Sequence, residues 1–237
     1  MNTELTGGKI RWGIPDALLV WVGAGLLGFF AAVPVATAEN IDPLYTFGVL
    51  LPVQQLASLG ALLVVTKAKG QGSLRRDFGL ELRAADARSL WLGPAIQGFF
   101  WLALLPLMWL GGDLDNQQLV EELERSQDVV TIVLFAIGAA VLAPLVEETL
   151  YRGLLLRAML RRMSPGAAIL GSSLVFAAVH FLGDPASFRS LPALAALGAI
   201  LAVRALRTGS LSSCIFIHAG FNLTTIALVL LAPDNLS

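Results

Sequence analysis

Long apolar runs with almost no charge dominate this sequence and limit its fold more than any other feature. A helix needs about 20 mainly apolar residues to cross the hydrocarbon core of a bilayer. Of the 237 residues, 56% are hydrophobic and 14% charged, whereas an ordinary soluble domain carries roughly a quarter charged residues. The sequence therefore predicts an all-α polytopic membrane bundle of about seven spans, with six to eight allowed. The runs cover residues 16–35, 44–65, 90–110, 129–156, 167–182, 191–203 and 211–231.

Two of these runs admit more than one interpretation. Residues 191–203 are short for a span, and we expect a tilted, re-entrant or partly spanning helix there. The first run follows Lys9 and Arg11 and precedes Ala36-Thr37-Ala38, which resembles the cleavage site of a signal peptide. Its apolar run is longer than a usual signal core, which favours a retained span. We expect one membrane domain over residues 1–237.

Charge in the loops predicts the orientation of the bundle. Basic residues follow the second, fourth and sixth runs, and the positive-inside rule assigns such loops to the cytoplasm. Residues 39–42 and 113–128 are acidic instead. The alternation predicts a cytoplasmic N-terminus and fits a bacterial plasma membrane, with a short amphipathic helix within residues 111–128 on the outer surface. A net charge of −1 gives no basic footprint for nucleic acid. The basic residues are Lys67, Lys69, Arg75, Arg76, Arg83, Arg88, Arg157, Arg161, Arg162, Arg204 and Arg207.

The fourth run carries three ionisable residues, Glu147, Glu148 and Arg152. Each charge costs about 2.5 to 3.5 kcal/mol at the centre of a bilayer, so such residues normally face the bundle interior and mark function. Glu148 and Arg152 are four apart on a helix and can neutralise each other. Glu147 points about 100° away and lacks that partner.

Both histidines of the chain also lie in apolar runs. Phe176 precedes His180 by four residues, which puts the aromatic ring one helical turn before the imidazole. His218 precedes Asn222 by four residues and shares a face with it. Each of these residues alone is more often structural, as a buried interhelical hydrogen-bonding or core side chain. Their conjunction with an unpaired glutamate in neighbouring spans favours a catalytic site.

These three motifs resemble the CPBP family, the CAAX proteases and bacteriocin-processing enzymes that include the type II CAAX prenyl endopeptidases and the Abi proteins. The family pattern Glu-Glu-x-x-x-Arg is met at residues 147–152, Phe-x-x-x-His at 176–180 and His-x-x-x-Asn at 218–222. The resemblance implies an all-helical core around a polar cavity and endopeptidase activity. We place the catalytic core at residues 129–231, and residues 1–128 lie outside the recognised motifs.

The resemblance also implies roles for individual residues. Glu147, His180 and His218 correspond to the essential glutamate and histidines, and Asn222 to the supporting amide. Glu148, Arg152 and Phe176 are then supporting residues.

Peptide hydrolysis needs an activated water, an oxyanion stabiliser and a proton for the leaving amine. Glu147 and His180 can activate water, while His218 and Asn222 can donate to the oxyanion. A second mechanism places Zn²⁺ on Glu147, His180 and His218, a ligand set known in catalytic zinc sites, with Glu148 as base. Both mechanisms stay open. The partners we expect are membrane lipid and a membrane-associated peptide or protein.

Two other functions compete with proteolysis. Glu147, His180 and His218 could form the relay of a proton-coupled transporter, or the chain could be a non-catalytic membrane scaffold. One geometric condition applies to the protease. Predicted boundaries put Glu147 near the cytoplasmic side and His180 about two-thirds of the way across, so convergence requires a fourth helix that continues past Arg157 or a broken fifth helix.

Overall fold

The computed structural model describes residues 10–36, 43–109, 123, 128–183 and 190–231. Within these ranges the chain is helical and contains no strand, as predicted. A 3₁₀ segment, Ala84–Trp91, directly precedes α4. The helices are α1 Ile14–Ala36, α2 Pro43–Lys69, the short α3 Leu74–Phe78, α4 Leu92–Trp109, the composite α5 Val129–Leu160, α6 Pro165–Gly183, α7 Leu191–Thr208 and α8 Ser212–Leu231.

Six of these helices are long and apolar enough to cross a membrane: α1, α2, α5, α6, α7 and α8. Helix α4 has 18 residues and coincides with the third predicted run, but it is not among the six. The predicted end of the sixth span is wrong, because α7 continues for five residues beyond Val203 and reaches Thr208. Its arginines, Arg204 and Arg207, therefore belong to the last turns of the helix. The predicted amphipathic helix in residues 111–128 lies outside the described residues, apart from Leu123 and Asp128.

Helix α5 is longer and less regular than predicted. It continues to Leu160, four residues beyond the predicted end, and two π-helical segments interrupt it at Gly138–Leu142 and Thr149–Leu155. Pro144 follows the first π segment and has no N–H to continue the usual ladder. π-Helical turns often accompany functional sites. The two glutamates occupy the short α-helical piece between the segments, Ala143–Glu148.

Helix α5 runs through the middle of the bundle, in contact with α1, α2, α3, α6, α7 and α8. Its buried residues form the main hydrophobic core with residues of α1, α2 and α6. Other pairs complete the bundle, since α1 packs on α2, α6 packs on α7, and α4 with its 3₁₀ segment packs on α8. The central position of α5 brings its polar residues within reach of α6 and α8.

A polar cluster fastens one end of the bundle. Trp12 donates from Nε1 to Asp77 at 3.0 Å, and the Arg161 guanidinium lies 4.2 Å above the Trp12 ring and donates to the Trp12 carbonyl. Lys69 and Asp16 form an ion pair at 2.6 Å. Burial lowers the pKa of Arg161, with a further contribution from the charge of Arg162. The chain start, the end of α2 and the end of α5 thus meet on one side, as their predicted common cytoplasmic placement requires.

Helix α8 crosses the start of α4 at two glycines. A Cβ atom on Gly93 would lie 2.2 Å from the Phe221 backbone nitrogen, and a Cβ on Gly220 would lie 2.0 Å from the Leu90 carbonyl oxygen. Only glycine allows backbones to approach so closely. This crossing fixes where α8 lies along its own axis relative to α4, and therefore where His218 and Asn222 lie.

Candidate active site

Glu148 lies at the centre of a fully buried polar network. Its Oε1 accepts hydrogen bonds from Arg152 Nη1 at 2.8 Å and from His218 Nδ1 at 2.9 Å. Arg152 also donates from Nη2 to the Gly198 carbonyl at 3.3 Å, which ties the pair to α7. The predicted Glu148–Arg152 pair is therefore confirmed. Opposite charges and hydrogen bonds offset the cost of burying both groups.

Glu147 has a different environment from its neighbour. Its Oε2 is buried and has no hydrogen-bond partner within the described residues, while 19% of the side chain is exposed. The nearest ionisable group is His218, whose Nε2 lies 3.9 Å from Oε2. This gap is longer than a direct hydrogen bond. Oε2 of Glu148 also lacks a partner within the described residues, but Glu148 is completely buried and its Oε1 accepts from Arg152 and His218. Glu147 is therefore the more accessible of the two carboxylates.

The Phe176 ring brings both histidines to one place. Its centroid lies 4.7 Å from that of His180 and 5.8 Å from that of His218. The Arg152 guanidinium lies 4.4 Å from the same ring, close enough for a cation–π contact. Phe176 is fully buried. Helices α5, α6 and α8 therefore converge here, with α5 running past Arg157 as convergence required.

The hydrogen bond at Nδ1 of each histidine determines whether its second nitrogen, Nε2, can accept a hydrogen bond. His180 Nδ1 lies 2.7 Å from the Phe176 carbonyl oxygen, and His218 Nδ1 faces the Glu148 carboxylate. Both partners are acceptors, so both Nδ1 atoms carry a proton. Each neutral imidazole then leaves Nε2 as an acceptor. That arrangement suits a base or a metal ligand.

Asn222 connects α8 to the first π segment of α5. Its Nδ2 donates to the Ala139 carbonyl at 2.7 Å. A carboxamide nitrogen carries two protons, so one remains for a second acceptor. Asn222 shares the face of α8 with His218, as the four-residue spacing predicts.

A catalytic Zn²⁺ needs about three protein ligands that converge on one point. Among the described residues, no three His, Cys, Asp or Glu side chains converge closely enough to hold a metal ion. Glu148 Oε1 already accepts two hydrogen bonds. As arranged, the predicted ligands Glu147, His180 and His218 do not form a ready zinc set.

One known protein family matches the part of the chain that carries these residues. Residues 129–224 match the family described as type II CAAX prenyl endopeptidase Rce1-like. Over these residues, the chain is similar to that family. The match lies inside the predicted 129–231 core, and it supports a CAAX-type intramembrane endopeptidase at the level of the family. No curated protein and no solved structure matches the chain.

Sequence reasoning missed several groups in the spans and in the backbone. The Tyr151 ring packs edge-to-face on Phe176 at 5.3 Å, and its position four residues after Glu147 was the available signal. Gln97 interrupts the apolar run of α4 and has a buried Oε1 with no partner within the described residues. The carbonyls of Ala139 and Gly198 act through the backbone, so residue type carries no signal for them.

Proposed function

We propose that this chain is an intramembrane endopeptidase that hydrolyses peptide bonds of membrane-associated or CAAX-like substrates, with Glu147 as the base. The observation that carries the proposal is the contrast between the two adjacent glutamates. Glu148 is completely buried and its Oε1 accepts from Arg152 and His218, while Glu147 is 19% exposed and its unpartnered Oε2 lies 3.9 Å from His218 Nε2. A purely structural pair would not need the second carboxylate.

Water activation is assigned to Glu147 and His180. Glu147 takes a proton from the water, and His180 orients it through the Nε2 lone pair that its bond to the Phe176 carbonyl leaves free. The resulting hydroxide attacks the peptide carbonyl. Glu147 then returns the proton to the leaving amine as the C–N bond breaks, so the carboxylate is regenerated.

Oxyanion stabilisation is assigned to His218 and Asn222. The free proton of Asn222 Nδ2 can donate to the oxyanion. His218 can do so only when both ring nitrogens carry protons, because Glu148 already accepts the Nδ1 proton. Glu148 therefore positions His218, and Arg152 in turn holds Glu148.

The substrate is assigned by access. A peptide bond must reach a site formed by membrane-spanning helices, so the substrate is a lipidated or membrane-associated peptide or protein that enters laterally or from the cytoplasm. We assign the chain to a bacterial plasma membrane with its N-terminus in the cytoplasm, on the charge pattern of its loops.

The deciding experiment compares wild type with Glu147→Gln and Glu147→Ala in detergent. Cleavage of a membrane-peptide library, which includes prenylated CAAX-like peptides, is measured by mass spectrometry. Loss of the base should lower the rate by about 10²- to 10⁴-fold. Glu81→Gln serves as the matched control, because Glu81 pairs with Arg75 and Arg83 outside the site.

Three results would redirect the proposal. Equal cleavage by wild type and both Glu147 variants would remove Glu147 as the base. Inactivation by a chelator, reversed by Zn²⁺, would replace the glutamate–histidine mechanism with the metal one. No cleavage by any folded protein, together with proton uptake in vesicles that depends on Glu147, would favour the transporter; without that uptake, the scaffold would be favoured.

A further inference from the structure

An apolar groove lies between α8 and the start of α4, outside the candidate active site. Its volume is about 270 Å³. Gly220 forms its floor where the helices cross, and the groove follows α8 for about 16 Å toward Leu231. The lining residues are Leu90, Trp91, Pro94, Gly220, Leu223, Thr224, Ala227, Leu228 and Leu231.

The 3₁₀ segment Ala84–Trp91 places a charge and an aromatic ring at one end of this groove. In a 3₁₀ helix, residues three apart lie directly above one another. Arg88 and Trp91 are such a pair, and both are exposed, Trp91 to 75%. Tryptophan is enriched where a membrane meets water. From the loop toward the groove, the chain thus presents first the Arg88 cation, then the Trp91 ring at the interface, and then the apolar groove.

The charges around Arg88 leave it available to a ligand. Arg75 and Arg83 both pair with Glu81, at 3.0 Å and 2.9 Å. Asp86, two residues before Arg88, forms no ion pair within the described residues, and neither does Arg88 itself. Successive positions of a 3₁₀ helix are about 120° apart, so Asp86 points away from the stripe that carries Arg88 and Trp91.

We propose that this groove binds one anionic phospholipid, with an acyl chain along α8 and the headgroup phosphate on Arg88. A groove this apolar gives no selectivity by itself, because an acyl chain gains little hydrophobic free energy by leaving other acyl chains. The headgroup must supply the preference, and basic residues at the surface attract anionic lipids. The apolar lining of the groove fits an acyl chain, and the exposed Arg88 guanidinium fits an anion at the end of that chain.

Native mass spectrometry of the full chain, released from detergent with equal amounts of phosphatidylglycerol and phosphatidylcholine of the same chains, tests this site. Wild type should retain phosphatidylglycerol preferentially. Arg88→Gln should reduce that preference about fivefold and leave phosphatidylcholine retention unchanged. Ala227→Trp fills the groove and should reduce retention of both lipids.

Two matched variants control for charge and bulk. Arg76→Gln removes an exposed arginine away from the groove, and Leu102→Trp enlarges an exposed residue of α4 that does not line it. Both should behave as wild type. Equal retention of the two lipids by wild type, or equal effects of Arg88→Gln and Arg76→Gln, would overturn the proposal. So would Ala227→Trp blocking a prenylated peptide while phosphatidylglycerol binding persists, since the groove would then serve lipidated substrate.

Discussion

Glu147 and Glu148 are neighbours in the chain but have different surroundings. Glu148 is completely buried and bonded to Arg152 and His218, whereas Glu147 is partly exposed. The spacing of Glu148 and Arg152 predicts their pairing, because both lie on one helix and i,i+4 contacts follow from helix geometry alone. The bond from His218 to Glu148 joins residues 70 positions apart and depends on how α8 packs. The sequence therefore predicts the Glu148–Arg152 pair, but not that Glu148 holds His218.

Substitution of Glu148 by glutamine tests its positioning role. Its amide can still accept from Arg152, but it can also turn its N–H toward His218 and reverse the imidazole tautomer. We expect kcat to fall about 10- to 100-fold with a small change in KM, and Glu148→Asp to recover part of the loss. Peptide cleavage over a range of pH measures both parameters.

The effect of Glu148→Gln on folding must be separated from its effect on catalysis. Removal of one partner from a buried ion pair can cost about 3 to 5 kcal/mol, so thermal melts in detergent should accompany the kinetics. A folded Glu148→Gln protein with wild-type kcat and an unchanged pH profile would show that Glu148 does not position His218.

The helices show where sequence periodicity is sufficient and where it fails. Apolar runs located the spans within a few residues, because the length of a span is set by bilayer thickness. They did not reveal the π segments of α5, which depend on tertiary partners such as Asn222 and the Ala139 carbonyl. The apolar runs stop short of the ends of α5 and α7, because arginines in the last turns of these helices resemble loop residues. Arg157 instead reaches the Asp77 carbonyl, and Arg204 reaches Ser213.

The glycine crossing of α4 and α8 gives a prediction about packing. Gly93→Ala places a methyl group into the backbone of α8, so we expect a loss of about 1 to 3 kcal/mol or more. Gly98→Ala in the same helix meets nothing within 4 Å and should be neutral or slightly stabilising. Thermal unfolding in one detergent compares the two variants. Equal stability would mean that the helices do not cross as closely as described.

Asp128 caps the start of α5 and gives a pH-dependent prediction. It accepts hydrogen bonds from the backbone of Val130 and Thr131 and from the Thr131 hydroxyl. The Thr131 hydroxyl is the main cause of a lowered pKa for this carboxyl, relative to its usual 3.8. Its contribution to stability is therefore complete above the usual value and is lost as the pH falls through the lowered one.

Asp128→Ala should accordingly lower Tm at neutral pH, and the difference from wild type should shrink as the pH falls below the usual carboxyl value of 3.8 and through the lowered pKa. Asp128→Asn is the control, because asparagine also caps helices but does not titrate. A difference between wild type and Asp128→Ala that is constant with pH would contradict a role for the carboxylate charge.

At the scale of the whole molecule, the charge pattern predicts orientation, and the fold gathers the basic segments at one end. Placement of Arg76 in the cytoplasm and Asn116 outside can be tested in a Cys214→Ala background, since Cys214 is the one cysteine of the chain. In intact cells, a membrane-impermeant maleimide should label Asn116→Cys but not Arg76→Cys. Permeabilisation should expose both. The reverse labelling would invert the topology and place the basic end outside.

The contact between Trp12 and Arg161 has a consequence for the order of assembly. These residues are 149 positions apart, so a ribosome must complete four predicted spans before this contact can form. Before Arg161 is made, Trp12 can already contact Asp77 and Phe78, and α1 can pack on α2. The first span is thus held at first only by its neighbours in the chain. Once the end of α5 has been synthesised, Arg161 joins the first span to the helix that carries both glutamates.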